Sequence, residues 1–277
     1  MVDGVVLGRR VGPFEGRIDR DLVERYAAAT GDSTPSVRSG RTVPITALVT
    51  QIWEAQTDGR EALVPADFQR AATGGVHGEH DIVLHRRLVV GEPLHTYVEG
   101  HGARAAGRNS AVTLRYVTVD SREEVVAEQW WTTIYLGTTC DPVGASAPDH
   151  GFPDAARESP IGTVSFDADE SMAHRYAAVT GDWSAHHFEL EAARRSGFDR
   201  VFLHGLCTMG LCAQAVVALA GAGEPDRVGR LAVRFASPTF LGERVDVHVF
   251  DAGQGVVAFE AECAGARVIT HGRAELR

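Results

Sequence analysis

The chain has 277 residues, 44% of them hydrophobic and 23% charged, and a formal net charge of −10. That length exceeds an ordinary domain of about 100–200 residues, and the composition is that of a folded globular protein. The acidic balance argues against nucleic acid as a partner, since phosphate binding calls for a basic surface, yet it leaves room for a small anionic ligand on a local basic patch.

The chain opens "MVDGVVLGRRVGPFEG", with Asp3 ahead of the apolar run and Arg9-Arg10 after it. That is the wrong order for a secretory signal. The most apolar stretch, "LCAQAVVALAGAG" at 211–223, is shorter than the ~20 residues that span a bilayer. Cys140, Cys207, Cys212 and Cys263 have no metal-finger or paired spacing. Free thiols in a reducing compartment are expected, hence a cytoplasmic protein without a membrane partner.

In chain order, "YAAATGDSTPSV" at 26–37 comes first, then a short helix predicted over 43–56 ("VPITALVTQIWEAQ"). Alternating strands are predicted at 80–88, 94–102, 109–119 and 124–137, with hairpin turns at 107–110 and 119–124. Trp130 and Trp131 are adjacent on the last of these, so they should face opposite ways. A stretch rich in Pro, Gly, Ala and Asp at 138–162 reads as a linker.

The second half starts with a strand at 162–166. A helix follows within 167–181, with Asp167 or Asp169 as N-cap and Gly181 as its stop. A short helix is predicted to end at Gly197. The segment at 206–221 is apolar nearly all round, so it should be a buried helix. Strands are predicted over 229–237, 243–251, 255–263 and 266–276. One long buried helix followed by an antiparallel sheet is an α+β unit.

The two halves are copies. "YAAATGD" from Tyr26 and "YAAVTGD" from Tyr176 lie 150 residues apart, and Gly91-Glu92 and Gly242-Glu243 lie 151 apart. Two long units indicate duplication, not a solenoid. The copies diverge after the Asp: five residues on, the second has His187 where the first has Val37. A carboxylate and an imidazole brought together by a turn can activate a water, and a histidine titrates near neutrality. Asp after Gly is also ordinary turn chemistry. A turn role accounts for both Asp32 and Asp182, but not for a histidine present once. One working site and one vestigial site are therefore expected. His204-Gly205 directly precedes the buried helix, whose unpaired N–H groups could hold a carbonyl oxygen as it gains charge.

The stretch "TGDWSAHHFELEAARRSGFDRVFLHGLCTMGLCAQAVV" resembles the signature of the MaoC-like (R)-specific enoyl-CoA hydratases: Gly-Asp-x-Asn-Pro-apolar-His, an Ala-x-x-x-Gly-Phe stretch, then His-Gly-Leu-Cys-Thr. The resemblance implies a tandem (double) hot-dog fold, each half a long helix wrapped by an antiparallel sheet. A degenerate N-terminal domain at 1–138, a linker at 139–161 and a catalytic domain at 162–277 are expected. By the same resemblance Asp182 and His187 are the catalytic pair and Gly205 the oxyanion donor, with no metal and no cofactor. Ser184 and Ala185 stand where the family has Asn-Pro, and His186 replaces an apolar residue. Ser184, His186 and His204 are candidate substrate-binding residues.

The implied reaction is hydration of a trans-2-enoyl-CoA to a (3R)-3-hydroxyacyl-CoA, or its reverse. The implied partner is an acyl-CoA or acyl-carrier-protein thioester. Alternatives are a carrier-protein dehydratase, a hot-dog thioesterase, or a non-catalytic partner subunit that binds acyl thioesters. A monomer or a homodimer fits a double hot dog. Asp182, His186, His187 and His204 lack metal-motif spacing, and Cys207 and Cys212 read as packing residues. Arg194-Arg195 could meet a CoA phosphate but equally form a solvated helix face. The "HGEH" at 77–80 reads as structural.

Overall fold

The computed structural model describes residues 4–277; Asp3, used above in reading the start of the chain, lies outside them. In chain order the first half contains β1 (Arg10–Arg17), α1 (Arg20–Thr30), α2 (Pro35–Arg38), α3 (Trp53–Leu63) and α4 (Ala66–Ala71). Strands β2 (Gly74–Leu84), β3 (Pro93–Ala106), β4 (Asn109–Val119), β5 (Val125–Leu136) and the two-residue β6 (Val143–Gly144) follow. The second half has β7 (Pro160–Ala168), α5 (Met172–Thr180), α6 (Leu190–Arg195), β8 (Phe202–Leu203) and α7 (Gly205–Leu219). It closes with β9 (Val228–Phe235), β10 (Thr239–Phe240), β11 (Glu243–Gly253), β12 (Val256–Cys263) and β13 (Ala266–Leu276).

Two compact units result, and they interleave along the chain. The first holds the described residues up to Arg17 together with 51–85 and 93–149; the second holds 18–50, 86–92 and 150–277. In the first unit the strands pair antiparallel in the order β1-β3-β4-β5-β2, and α3 packs on β1 and β3. Its helix differs from expectation. Ile45–Gln51 is a 3₁₀ turn, and the α-helix runs on through "TDGREAL" to Leu63. Gly59 is tolerated inside that helix because its bare Cα sits against Val98, where a Cβ would lie 2.7 Å from Val98 Cγ1. Trp130 and Trp131 point to opposite faces of β5, yet both are buried, Trp131 stacked on His77 with ring centroids 3.7 Å apart. "HGEH" lies within β2.

In the second unit the order is β9-β13-β12-β11-β7, all antiparallel, and α7 packs across this sheet. Of the fifteen residues of α7, eleven are buried, as its all-round apolar sequence predicts. Cys207 and Cys212 are among them, and burial pushes both thiols up. The predicted cap of α5 is offset. Ser171 is the N-cap, and Asp169 accepts the Ser171 N–H one step earlier (2.9 Å) while pairing with Arg175 (2.6 Å). The stretch read as a linker contains β6, paired with β3, and a 3₁₀ turn at Asp154–Glu158, whose Arg157 pairs with the buried Glu260.

Candidate active site

Both copies of Tyr-Ala-Ala-x-Thr-Gly-Asp lie in the second unit and fold alike. The Thr hydroxyl bonds back to the Tyr carbonyl at 2.9 Å in each (Thr30 to Tyr26, Thr180 to Tyr176). Gly31 and Gly181 then end their helices in the left-handed region at φ 67° and 83°, which a residue without Cβ adopts freely. The Asp follows directly and turns the chain: Asp32 Oδ1 accepts the Thr34 N–H (2.8 Å), and Asp182 Oδ1 accepts the Ser184 N–H (3.1 Å). The turn therefore explains both aspartates. Val37, the counterpart of His187, is a buried residue of α2.

Beyond Asp182, residues 185–187 form a 3₁₀ turn that swings His187 inward. His187 is 5% exposed. Its Nδ1 lies 2.9 Å from the Phe202 carbonyl oxygen, which can only accept, so Nδ1 carries the proton. Burial, seconded by His204 and then His186, pushes its pKa down to about 2. The ring is accordingly neutral, with the Nε2 lone pair bare. Pairing of β8 with β10 fixes the Phe202 carbonyl, Phe202 opposite Phe240 and Leu203 opposite Thr239.

Asp182 is held by Ser184, whose Oγ donates to Oδ1 at 2.6 Å alongside its own N–H. Both donors fall on one oxygen, which leaves Oδ2 available. His204, the residue before α7, is buried; its Nε2–H donates to the Asp182 main-chain carbonyl at 2.9 Å, and its ring stacks on His187 with centroids 3.8 Å apart. Burial lowers its pKa despite the Asp182 charge, so it too is neutral. His186 is half-buried, stacked on Phe202 (5.3 Å), and its pKa is lowered by burial.

Gly205 opens α7, so its N–H belongs to the first turn, where helical N–H groups have no intrahelical acceptor and the dipole end is positive. A Cβ there would lie 3.0 Å from Cδ1 and Cε1 of Phe235. Asp182, His187 and His204 each bring one ligand-type atom within 4.8 Å of the others. This set could hold a cation or, as two neutral imidazoles beside one carboxylate, perform proton transfer.

All six residues singled out from the sequence thus fall in one neighbourhood. Arg194 pairs with Glu191 on the surface of α6. Sequence reasoning did not reach Phe202, whose part is played by a main-chain carbonyl with no side-chain signature. It also passed over Trp183, 57% exposed beside Asp182 and 5.4 Å from the Phe188 ring.

The sequence profile described as MaoC like domain matches residues 152–271. The 3-hydroxyacyl-thioester dehydratase X of Mycobacterium tuberculosis is 30% identical over 247 residues, 89% of this chain and 82% of that protein. A MaoC-like dehydratase from Phytophthora capsici superposes with TM-score 0.82 at 20% identity, covering 99% of this chain and 96% of that one. A conserved protein of M. tuberculosis described as having a double hotdog fold superposes with TM-score 0.62 at 18% identity, over 98% and 96% of the two chains. The double hot-dog architecture expected from the sequence is the fold of this chain. With the dehydratase-X relationship spanning both halves, the chain belongs to the MaoC-like dehydratase family.

Proposed function

We propose that the protein is a hydro-lyase that adds water to a trans-2-enoyl thioester, or removes it from a (3R)-3-hydroxyacyl thioester, by acid–base catalysis at Asp182 and His187. One observation carries the reading. The Asp182 Oδ2, outside the Ser184 hydrogen bonds and 3.9 Å from His204 Nε2, and the proton-free Nε2 of His187 belong to residues gathered beside the N-terminus of α7.

In the hydration direction Asp182 orients the water and His187 Nε2 takes one of its protons as the oxygen bonds to C3. Charge passes through the conjugated system to the thioester oxygen, where the Gly205 N–H and the helix dipole stabilise it. Collapse of the enolate returns the proton from His187 to C2. One water is added, nothing is oxidised, and the Asp182 carboxylate offsets the transient imidazolium. Bulk water is displaced around a buried imidazole that must not be protonated beforehand, and the low pKa of His187 keeps its lone pair available.

The first repeat lends α1 and a turn but has Val37 where the second has His187, and we assign it no catalytic part; the repeat boundaries at 1–138 and 162–277 go with this assignment. The thioester carrier is proposed to be coenzyme A. Among the described residues no helix is long and apolar enough to cross a membrane, and the four cysteines are free and buried, which supports a reducing compartment such as the cytoplasm.

Purified protein incubated with trans-2-enoyl-CoAs of graded chain length should lose the enoyl-thioester absorbance and yield the 3R alcohol. Release of free CoA thiol instead would move the assignment to thioester hydrolysis. Turnover only with the carrier-protein substrate would move it to that dehydratase.

A further inference from the structure

The buried imidazole of His204 has no step in this mechanism, yet it touches all three of its parts. Its Nε2–H holds the Asp182 carbonyl at 2.9 Å. Its face lies on His187 with centroids 3.8 Å apart and planes 30° apart. Its main chain continues directly into Gly205, where α7 starts. It does not act as a side-chain cap of that helix, and Nδ1 has no hydrogen-bond partner. A buried nitrogen left unpaired is costly and caps nothing, so helix capping does not account for a histidine here. A leucine of similar volume would pack without that cost.

We propose that His204 is a positioning residue that locks the Asp182–His187 pair and the Gly205 oxyanion donor into one register. The assignment rests on the hydro-lyase reading for its catalytic consequence, though not for its geometry.

The physical basis is the number of soft degrees of freedom removed. Asp182 sits just past a helix stop and His187 on a single 3₁₀ turn; both are short irregular segments. The helix α7 is buried along most of its length. His204 ties the turn to that helix through a hydrogen bond and through ring contact. Tyr176 (5.1 Å) and Phe188 (5.8 Å) hold its own ring in place. Its charged and titratable neighbours are Asp182, His186, His187, His174 and Tyr176, and of its two neutral tautomers only the Nε2–H form donates to the Asp182 carbonyl.

Three substitutions separate the two contacts. His204→Gln keeps an N–H at similar reach without the ring, His204→Phe keeps the ring without the N–H, and His204→Ala removes both. Each is measured by kcat and KM on an enoyl-CoA, by folded fraction from circular dichroism, and by long-range ¹H–¹⁵N imidazole spectra of His187 over pH. The expected result for His204→Ala is a kcat loss on the order of 10²-fold per folded molecule, the scale of a misplacement of about 1 Å, with KM changed far less. Partial recovery is expected in both Gln and Phe. Removing His204 takes away both part of the burial and a neighbour that opposes protonation of His187, so the His187 pKa should rise in the Ala variant, while the Phe202 carbonyl still holds its Nδ1–H.

Unchanged kcat per folded molecule together with unchanged His187 spectra overturns the proposal, as does a loss that merely follows the folded fraction. If the wild type hydrates no enoyl thioester while the His187 spectra respond as expected, the positioning role stands and the hydro-lyase reading falls.

Discussion

Tyr26 and Tyr176, one from each repeat, face each other edge to face with ring centroids 6.1 Å apart, both fully buried. Their helices α1 and α5 pack against one another. The repeated Tyr-Ala-Ala supplies a large ring next to small residues, so two helices can approach closely around one aromatic pair. Replacing either Tyr with Ala should cost about 3 kcal/mol or more, the usual penalty for deleting a buried aromatic ring. Urea midpoints at pH 7 measure it; a loss below about 1 kcal/mol would show that the helix pair is not held this way. Burial raises both phenol pKa values, so the folded state keeps protons that the unfolded chain gives up above about pH 10. Stability should therefore fall as pH rises past that point, and less steeply in Tyr26→Phe.

The two aspartates should behave differently. Asp182→Asn and His187→Ala should each lower kcat by about 10²–10⁴-fold, the range for loss of a general acid–base group. Asp32→Asn, at the same place in the other repeat, should leave kcat per folded molecule unchanged. Asp32 is buried and its pKa is raised by desolvation, and an Asn can still accept the Thr34 N–H. Equal losses at Asp32 and Asp182 would refute the division into one working and one vestigial half.

Acid should destabilise the protein before the carboxylates titrate. Burial lowers the pKa of His187 to about 2, that of His80 to about 4, and that of His204 below its ordinary value. Each folded value lies below the unfolded one of about 6.5, so under pH 6.5 the unfolded chain binds more protons and stability drops as pH falls. For His80 the effect runs from pH 6.5 to about 4, up to about 1.4 kcal/mol per pH unit. Urea denaturation at pH 7, 5.5 and 4.5 would reveal the slope; a flat profile would mean that these rings are solvated. The same depression implies that kcat/KM has no limb near pH 6.5 from His187.

Gly205→Ala tests close approach at the start of α7. The added methyl would meet Phe235 at 3.0 Å, tighter than ordinary carbon contact. Both stability and kcat should fall. Adding Phe235→Leu should restore stability and leave kcat low if the methyl also obstructs the thioester oxygen. Full recovery of kcat in the double variant would reduce Gly205 to a packing residue.

Much of this was legible because the informative residues recur. Gly181 as a stop, Asp182 as a turn residue and His187 as the one unmatched side chain all follow from laying "YAAVTGDWSAHH" beside "YAAATGDSTPSV". Apolar periodicity foretold α7 and the strands β7, β9, β11, β12 and β13 to within two residues at each end, but not the two-residue β8 and β10. It misplaced the first-half helix because "VPITALVTQ" is as apolar as a helix yet tightens into a 3₁₀ turn, while the polar "TDGREAL" carries the α-helix on to Leu63. The alternation rule put Trp130 and Trp131 on opposite faces but could not foresee that both faces of β5 are covered there. Ser184 was read as a departure from the family pattern; that its hydroxyl and N–H both fall on one Asp182 oxygen depends on turn dihedrals that sequence does not state.

The gene for this protein cannot be cut at its own seam. The second compact unit draws residues 18–50 and 86–92 from the first repeat, so a fragment beginning near residue 150 would leave α5 without α1 and Tyr176 without its ring partner. The borrowing runs one way, since the first unit takes no residue beyond 149, so the second half depends on the first for a helix. An expression fragment that carries every proposed catalytic residue should still come out insoluble, and supplying the missing N-terminal stretch as a separate chain should bring it back into solution.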